Sequence, residues 1–252
     1  MAESAGSFGS QILKITQAKY DFSYRDIGRW LPFAVDPASI EDFLANVAIY
    51  PQALPVNVCE LELYQALARE VLHWQKKEEK EVETVGDEIQ TLVIGEEILK
   101  ICRNHKDGLL IALDGFLPEG IVEFFAHGEN GLKVATAICF AGEGVWKKDK
   151  AGQVAQVTLD FGLSQKQKVI LEADDLMLIP ADAKEQIKIK IHCTGSLRIA
   201  KKKDLAIEAT GGTVGIVFDT RGRPFKFPEF GGQGRERLIL WRKSLGIWST
   251  AK

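Results

Sequence analysis

A chain of 252 residues with 46% hydrophobic content is long enough for one large domain or two modest ones, with a sizeable buried core. Its uncharged apolar runs, such as Val134 to Phe140, fall far short of the ~20 residues of a membrane helix, which excludes such a span. Met1-Ala-Glu-Ser-Ala-Gly-Ser7 has neither the basic start nor the apolar centre of a secretory signal, so the expected setting is cytoplasmic. The net charge of −3 is uneven: residues 201–252 hold 11 Lys or Arg against 5 Asp or Glu, leaving 21 against 30 elsewhere. No interleaving of aromatic and basic residues accompanies that basic tail, so it reads as a solvated face and nucleic acid is not expected as a partner.

The first elements are sparse. Small polar residues lead to a short apolar stretch, Ile12 to Ile15, part flexible lead and part docking segment. Asp36-Pro37 predicts a helix start, because the aspartate can accept from free amides and the proline suits the first turn. Ile40, Phe43, Leu44, Val47 and Ala48 then recur at helical spacing until Pro51. A turn through Leu54-Pro55 leads to a longer helix over Glu60 to Lys80. Its core stripe is Leu63, Leu67, Val71 and Trp74, with Tyr64 and Leu72 beside it, and Glu62, Arg69 and Glu70 are expected on the wet face. Lys76-Lys-Glu-Glu-Lys-Glu81 reads as a solvated charge run. Thr91 to Ile94 is a short apolar strand ending at Gly95, Glu96 to Arg103 continues as a helix, and Leu109 to Leu113 fits a strand or a helix buried on both sides.

After Gly120 the period changes. Val134 to Phe140, Val154 to Phe161, Lys168 to Leu171, Leu176 to Ile179, Gln186 to Cys193, Leu205 to Ala209, Val214 to Asp219 and Phe225 to Phe227 read as strands separated by turns about every ten residues. Ile187, Ile189 and Ile191, alternating with Lys188 and Lys190, give one buried and one wet face. From Gly234 to Leu245 the spacing is helical again, with Leu238, Leu240, Trp241 and Leu245 apolar and Gly246 as the stop. The expected fold is α+β. A small helical and α/β part covers residues 1–120, and a β-rich sandwich or barrel with a terminal helix covers residues 121–252.

Catalytic patterns are not found in this sequence. Cys59, Cys102, Cys139 and Cys193 lie far apart and read as reduced thiols, and Cys102 with His105 is an isolated C-x-x-H without the second pair a zinc site needs. A Gly-x-Ser-x-Gly elbow and a GK[ST] phosphate loop are both missing. The adjacent acids Asp174-Asp175 and Glu96-Glu97 diverge rather than converge on a substrate. Gly142-Glu-Gly144 precedes Trp146-Lys-Lys-Asp-Lys150 rather than a helix, so it is taken as a hairpin turn. The densest local code is Gly211-Gly-Thr-Val-Gly-Ile-Val-Phe-Asp-Thr-Arg-Gly-Arg-Pro224: an alternating strand, a tight turn with Gly222 at positive φ, and a proline restarting the extended Phe225 to Phe227. Arg221 and Arg223 flank that turn and are expected to reach outward with Arg235 and Arg237 as a contact surface for a partner. Neither a cofactor nor a metal is expected.

Five segments in order carry a resemblance: Tyr50-Pro-Gln-Ala-Leu-Pro55, Leu61 to Glu70, Leu92-Val-Ile-Gly95, Leu113-Asp-Gly-Phe-Leu-Pro118, and Gly211 to Pro224 with Trp241. Across residues 45–245 they resemble the C-terminal half of the glutamate mutase accessory family, the MutL or GlmL proteins associated with cobalamin-dependent mutases. The resemblance implies part of a two-lobed, ATPase-like body of the actin, sugar kinase and Hsp70 superfamily. The phosphate hairpin of that superfamily, Asp-x-Gly-Ser/Thr, is not found, and Gly95-Glu96-Glu97-Ile98-Leu99 stands where the family has Gly-Gly-Val-Leu at the adenosine edge. Two carboxylates there remove backbone room and oppose a nucleotide, so ATP is not expected. The implied function is a non-enzymatic protein-interaction or assembly subunit whose exposed apolar surface is covered by a partner or a second copy. Two other readings stand beside it: a chaperone or reactivating factor for a cobalamin-dependent mutase, and a regulatory ligand-binding module.

Overall fold

The computed structural model describes residues 10–13, 21–51, 53–78, 89–128, 131–142, 152–162, 165–194 and 196–247, with backbone only for Ser10–Leu13 and Glu78. The lead before Ser10, residues 79–81 of the charge run, and residues 143–150 after the Gly142 turn lie outside the described residues. In chain order the elements are β1 (Ser10–Leu13), α1 (Tyr24–Gly28), α2 (Pro37–Ile49), α3 (Val58–Glu78), β2 (Gln90–Ile94), α4 (Glu96–Lys100), α5 (His105–Phe116), β3 (Gly120–Ala126), β4 (Lys133–Cys139), β5 (Gln153–Asp160), β6 (Lys166–Glu172), β7 (Leu176–Ile179), β8 (Gln186–Cys193), β9 (Asp204–Thr210), β10 (Gly215–Asp219) and α6 (Gly232–Ser244). Among the described residues no helix is long and apolar enough to cross a membrane.

The fold is α+β, built as three layers. A six-stranded mixed sheet in the order β1-β2-β3-β4-β10-β7 forms the middle. Its β1–β2, β2–β3 and β4–β10 pairs are parallel, and its β3–β4 and β10–β7 pairs are antiparallel. One face meets helices: Val122, Phe124, Ala135, Ala137 and Val217 pack with Ile27, Ile40, Leu67, Leu72, Ile111 and Leu238. The other face meets an antiparallel sheet in the order β6-β5-β8-β9: Ile138, Phe140, Ile216 and Phe218 pack with Val157, Leu159, Ile187, Ile189 and Ile191. Both sheets are open, so the β-rich arrangement is a sandwich and not a barrel. The alternation on β8 is as its residues dictate, with Ile187, Ile189 and Ile191 buried and Lys188, Lys190 and His192 exposed.

Several local expectations change. The middle sheet crosses the boundary expected between residues 120 and 121, since Gln90 pairs with Val122 and Ile94 with Ala126. The β-rich layer is the four-stranded sheet, whose strands all lie between β4 and β10 in the chain, with one return to the middle sheet at β7 between β6 and β8. Strand β3 had no reading of its own in the sequence; it is buried on both faces and hardly alternates. Leu109 to Leu113 is helix, started by Asn104, whose side chain accepts from the amides of Lys106 (2.9 Å) and Asp107 (3.3 Å). Phe225 to Phe227 is not a strand. It is a coil whose rings stack on the helices: Phe225 lies 6.3 Å from Trp30 with the rings near parallel, and Phe227 meets His73 at 4.7 Å.

Candidate functional site

Helix α3 carries two stripes. The apolar one behaves as expected except that Trp74 is 39% exposed. Glu62, Gln65 and Arg69, with Lys76 two turns further on, follow a three- and four-residue spacing and form a second, polar stripe. Glu62, Arg69 and Glu70 are buried, contrary to their expected place on the wet face, and Gln65 is buried with them. The cause is a helix crossing. At Gly115 of α5 an added Cβ would come within 2.7 Å of the Leu72 Cβ and 2.9 Å of the Arg69 carbonyl oxygen, so α5 approaches α3 closely only because that residue is glycine. The approach brings Asp114 under Arg69.

From there an alternating chain of charges runs through the interior. Arg69 Nε donates to Asp114 Oδ2 (2.8 Å), and Arg221 Nη1 donates to Asp114 Oδ1 (2.6 Å). Arg221 also grips Asp219, through Nε (2.9 Å) and Nη2 (2.8 Å), and Arg223 Nη2 reaches the same Asp219 Oδ2 at 3.0 Å. All five residues are at most 4% exposed. Burial opposes the Asp219 charge, but Arg221 and Arg223 outweigh it and hold the carboxyl well below its usual range. Arg221 is likewise held fully protonated: burial works against its charge, and Asp219 and Asp114 more than offset that. Its guanidinium lies over the rings of Phe225 (4.9 Å) and Trp241 (4.8 Å).

A second cluster sits beside the first and is closed. Arg242 makes a two-pronged pair with Glu62 (2.8 and 2.6 Å), Arg103 joins Glu62 at 3.0 Å, and Arg103 also holds Asp107 at 2.8 Å. Two arginines there face two carboxylates. Glu70 accepts from Arg29 at 2.6 Å and from the Trp30 indole.

The four arginines expected as a common outward surface are not brought together on one. Arg221 and Arg223 are 3% and 4% exposed and belong to the buried chain. Arg237 pairs with Asp174 at 2.8 Å and covers Trp241, while Arg235 is half-buried at the start of α6. The residue between the two buried arginines is as expected, since Gly222 has φ +77. The acid pairs also part company. Asp174 binds Arg237, and burial nevertheless raises its pKa to about 6; Glu96 makes an exposed pair with Lys100. Cys102 donates to the Ile98 carbonyl oxygen, His105 contacts Thr213, and burial pushes the Cys102 thiol up to about 12. Among the described residues no group of three or more His, Cys, Asp or Glu is placed to hold a metal ion.

The sequence alone does not bring Arg69 to Asp114 in one buried cluster or Glu62 to Arg242 in the other. The available signal was the polar stripe on α3 at helical spacing, opposite an Asp-Gly pair on another element. The chemistry such a system can do is electrostatic: it fixes three guanidiniums without proton transfer and leaves a cation at one end. Compared with protein-family models, curated proteins and solved structures, the chain finds no match in any of the three.

Proposed function

We propose that this protein acts by association, as a non-catalytic assembly subunit, and that it pairs with a second copy of itself. The observation that carries this is the corner between α2 and α3. Ile49 and Tyr50 are each 66% exposed, Leu54 63%, Val56 83% and Val58 40%, within ten residues of chain. Exposed apolar residues scattered singly need no explanation; bunched like this they favour an interface. The run from Ile49 to Cys59 contains no charged residue. Pairing about a twofold axis sets the same patch of the two copies face to face, and a charge-free corner does this without like-charge repulsion. The resemblance of the five ordered segments to mutase accessory proteins supports the same class of function. The carboxylates that acid–base chemistry would use, Asp114, Asp219 and Glu62, are each held by arginine.

Light scattering at micromolar concentration is expected to give a mass above 27.9 kDa. The double variant Tyr50→Asp, Val56→Asp should return it to the monomer with the fold intact by circular dichroism. A wild-type monomer, or a dimer indifferent to both substitutions, overturns the reading.

A further inference from the structure

The four-stranded sheet ends in β6, which pairs only with β5 and has no strand on its other side among the described residues. The phase of the ladder fixes which of its backbone groups are open. The Phe161 amide donates to the Gln165 carbonyl oxygen at 3.0 Å, and along an antiparallel pair the bonded residues alternate. Gln165, Gln167, Val169 and Leu171 therefore face β5, while Lys166, Lys168 and Ile170 turn amide and carbonyl outward. The far end is closed, since the Glu172 carbonyl oxygen accepts from Thr220 Oγ1 at 2.6 Å. What stays open is a template over residues 166–170, with Lys166, Lys168 and Ile170 on one face of the sheet.

Those three side chains decide what can pair there. Lys168 makes no ion pair among the described residues, and Lys166 meets Asp160 only at 3.5 Å on an exposed surface, where such a pair is weak. Ile170 is 56% exposed although its cross-strand neighbours, Gln156 and then His192, are polar. A second copy fits poorly: antiparallel self-pairing clear of Thr220 centres on Lys168 and sets that lysine against itself. Strand β9 of another copy fits no better. Its acids, Asp204 and Glu208, are spaced by four residues and the lysines by two, so only one acid at a time meets a lysine. We propose that β6 binds an extended acidic segment of another protein as an added antiparallel strand, with carboxylates opposite Lys166 and Lys168 and an apolar side chain opposite Ile170. The lysines that repel a copy of this chain attract that partner.

Strand β6 and the α2–α3 corner lie on opposite sides of the middle sheet, so this pairing stands or falls independently of self-association. The experiment is an NMR titration of the isotope-labelled full chain with the capped peptide Thr-Val-Thr-Glu-Thr-Glu-Thr, whose Val falls opposite Ile170 and whose two Glu fall opposite Lys168 and Lys166. Saturable shifts at the amides of residues 166–170 are expected, with a dissociation constant on the order of 1 mM for one short strand. The scramble Thr-Thr-Glu-Glu-Thr-Val-Thr, equal in charge, should bind several-fold more weakly. Lys168→Glu, at an exposed position that leaves folding untouched, should weaken the first peptide several-fold, and Thr-Val-Thr-Lys-Thr-Glu-Thr should restore binding to that variant. Absence of saturable shifts up to about 10 mM peptide overturns the proposal. So does equal binding of the scramble, or a failure of the swapped peptide to restore binding. Concentration-dependent shifts of the β6 amides without peptide, persisting in Tyr50→Asp, Val56→Asp, would make a second copy the occupant and overturn it as well.

Discussion

The two faces of the six-stranded sheet are held by different physics. Toward the four-stranded sheet, Ile138, Phe140, Ile216 and Phe218 meet Val157, Leu159, Ile187, Ile189 and Ile191 in a cluster to which, among the described residues, no buried charged side chain belongs. Toward the helices, a comparable apolar cluster contains the buried ions Glu62, Arg69, Asp107, Asp114, Asp219, Arg221, Arg223 and Arg242. Apolar contact is non-directional, so the first face can absorb small changes of shape. The second cannot lose one member without stranding its partner as an unpaired buried charge. The ionic side therefore fixes how α3, α5, α6 and the segment after β10 are arranged, and the apolar side supplies burial.

The largest expected effect tests that contrast directly. Asp219→Ala leaves Arg221 and Arg223 without their shared carboxylate and should cost about 3–5 kcal/mol in urea unfolding. A loss below about 1 kcal/mol would mean that water reaches the chain and that the two faces do not differ in kind. Gly115→Ala comes next. Its methyl group collides with Leu72 and the Arg69 backbone, so an overpacking cost of about 1–3 kcal/mol is expected. Gly222→Ala should cost about 1 kcal/mol, because φ +77 strains any residue with a Cβ. Arg221→Ala should exceed it by a clear margin, which reverses the order expected for an exposed arginine. On the apolar face Ile189→Val should cost only about 0.5–1.5 kcal/mol, and if it matched Asp219→Ala the comparison would fail.

The smallest effect is a pH slope. Burial, then the charges of Lys77, Arg29 and Lys76, lower the His73 pKa to about 4. A base with a depressed pKa favours the fold in its neutral form. Its contribution is complete above the ordinary ~6.5 and is lost as pH falls toward about 4, where the unfolded chain binds the extra proton. Asp174, raised to about 6 by burial, gains stability on acidification over the same window, so the difference between variant and wild type isolates the histidine. His73→Phe should lose less melting temperature than the wild type, or gain more, between about pH 6.5 and 4. The limb below about pH 4 belongs to groups such as Asp219, whose depressed pKa gives stability that is lost on acidification. A window unchanged by His73→Phe would assign the slope to another group.

Much of the secondary structure was legible because it rests on neighbours in sequence. The alternation of Ile187, Ile189 and Ile191, the Pro37 start of α2, and Gly246, with φ +69 just past α6, all act within a few residues. The candidate site was legible only in part. Gly222 announced its backbone conformation, but nothing local distinguishes a solvated arginine from Arg221, whose partner Asp114 lies 107 residues away. Glu62 and Arg69 misled for the same reason: on an isolated helix a charged stripe belongs in water, and only facing helices can make it interior.

Sequence by itself determined where chain direction and side-chain period change, hence most helices and strands, the apolar stripes and the positive φ at Gly222. Tertiary structure alone decided that β2 and β3 join one sheet across residue 120, that α3 is buried on two sides, and that the arginines after β10 point inward. The physical reason is range. Periodicity and turn chemistry are set by backbone geometry over a few residues, whereas the sign and balance of buried charge depend on groups that only the folded chain brings within 3 Å of each other.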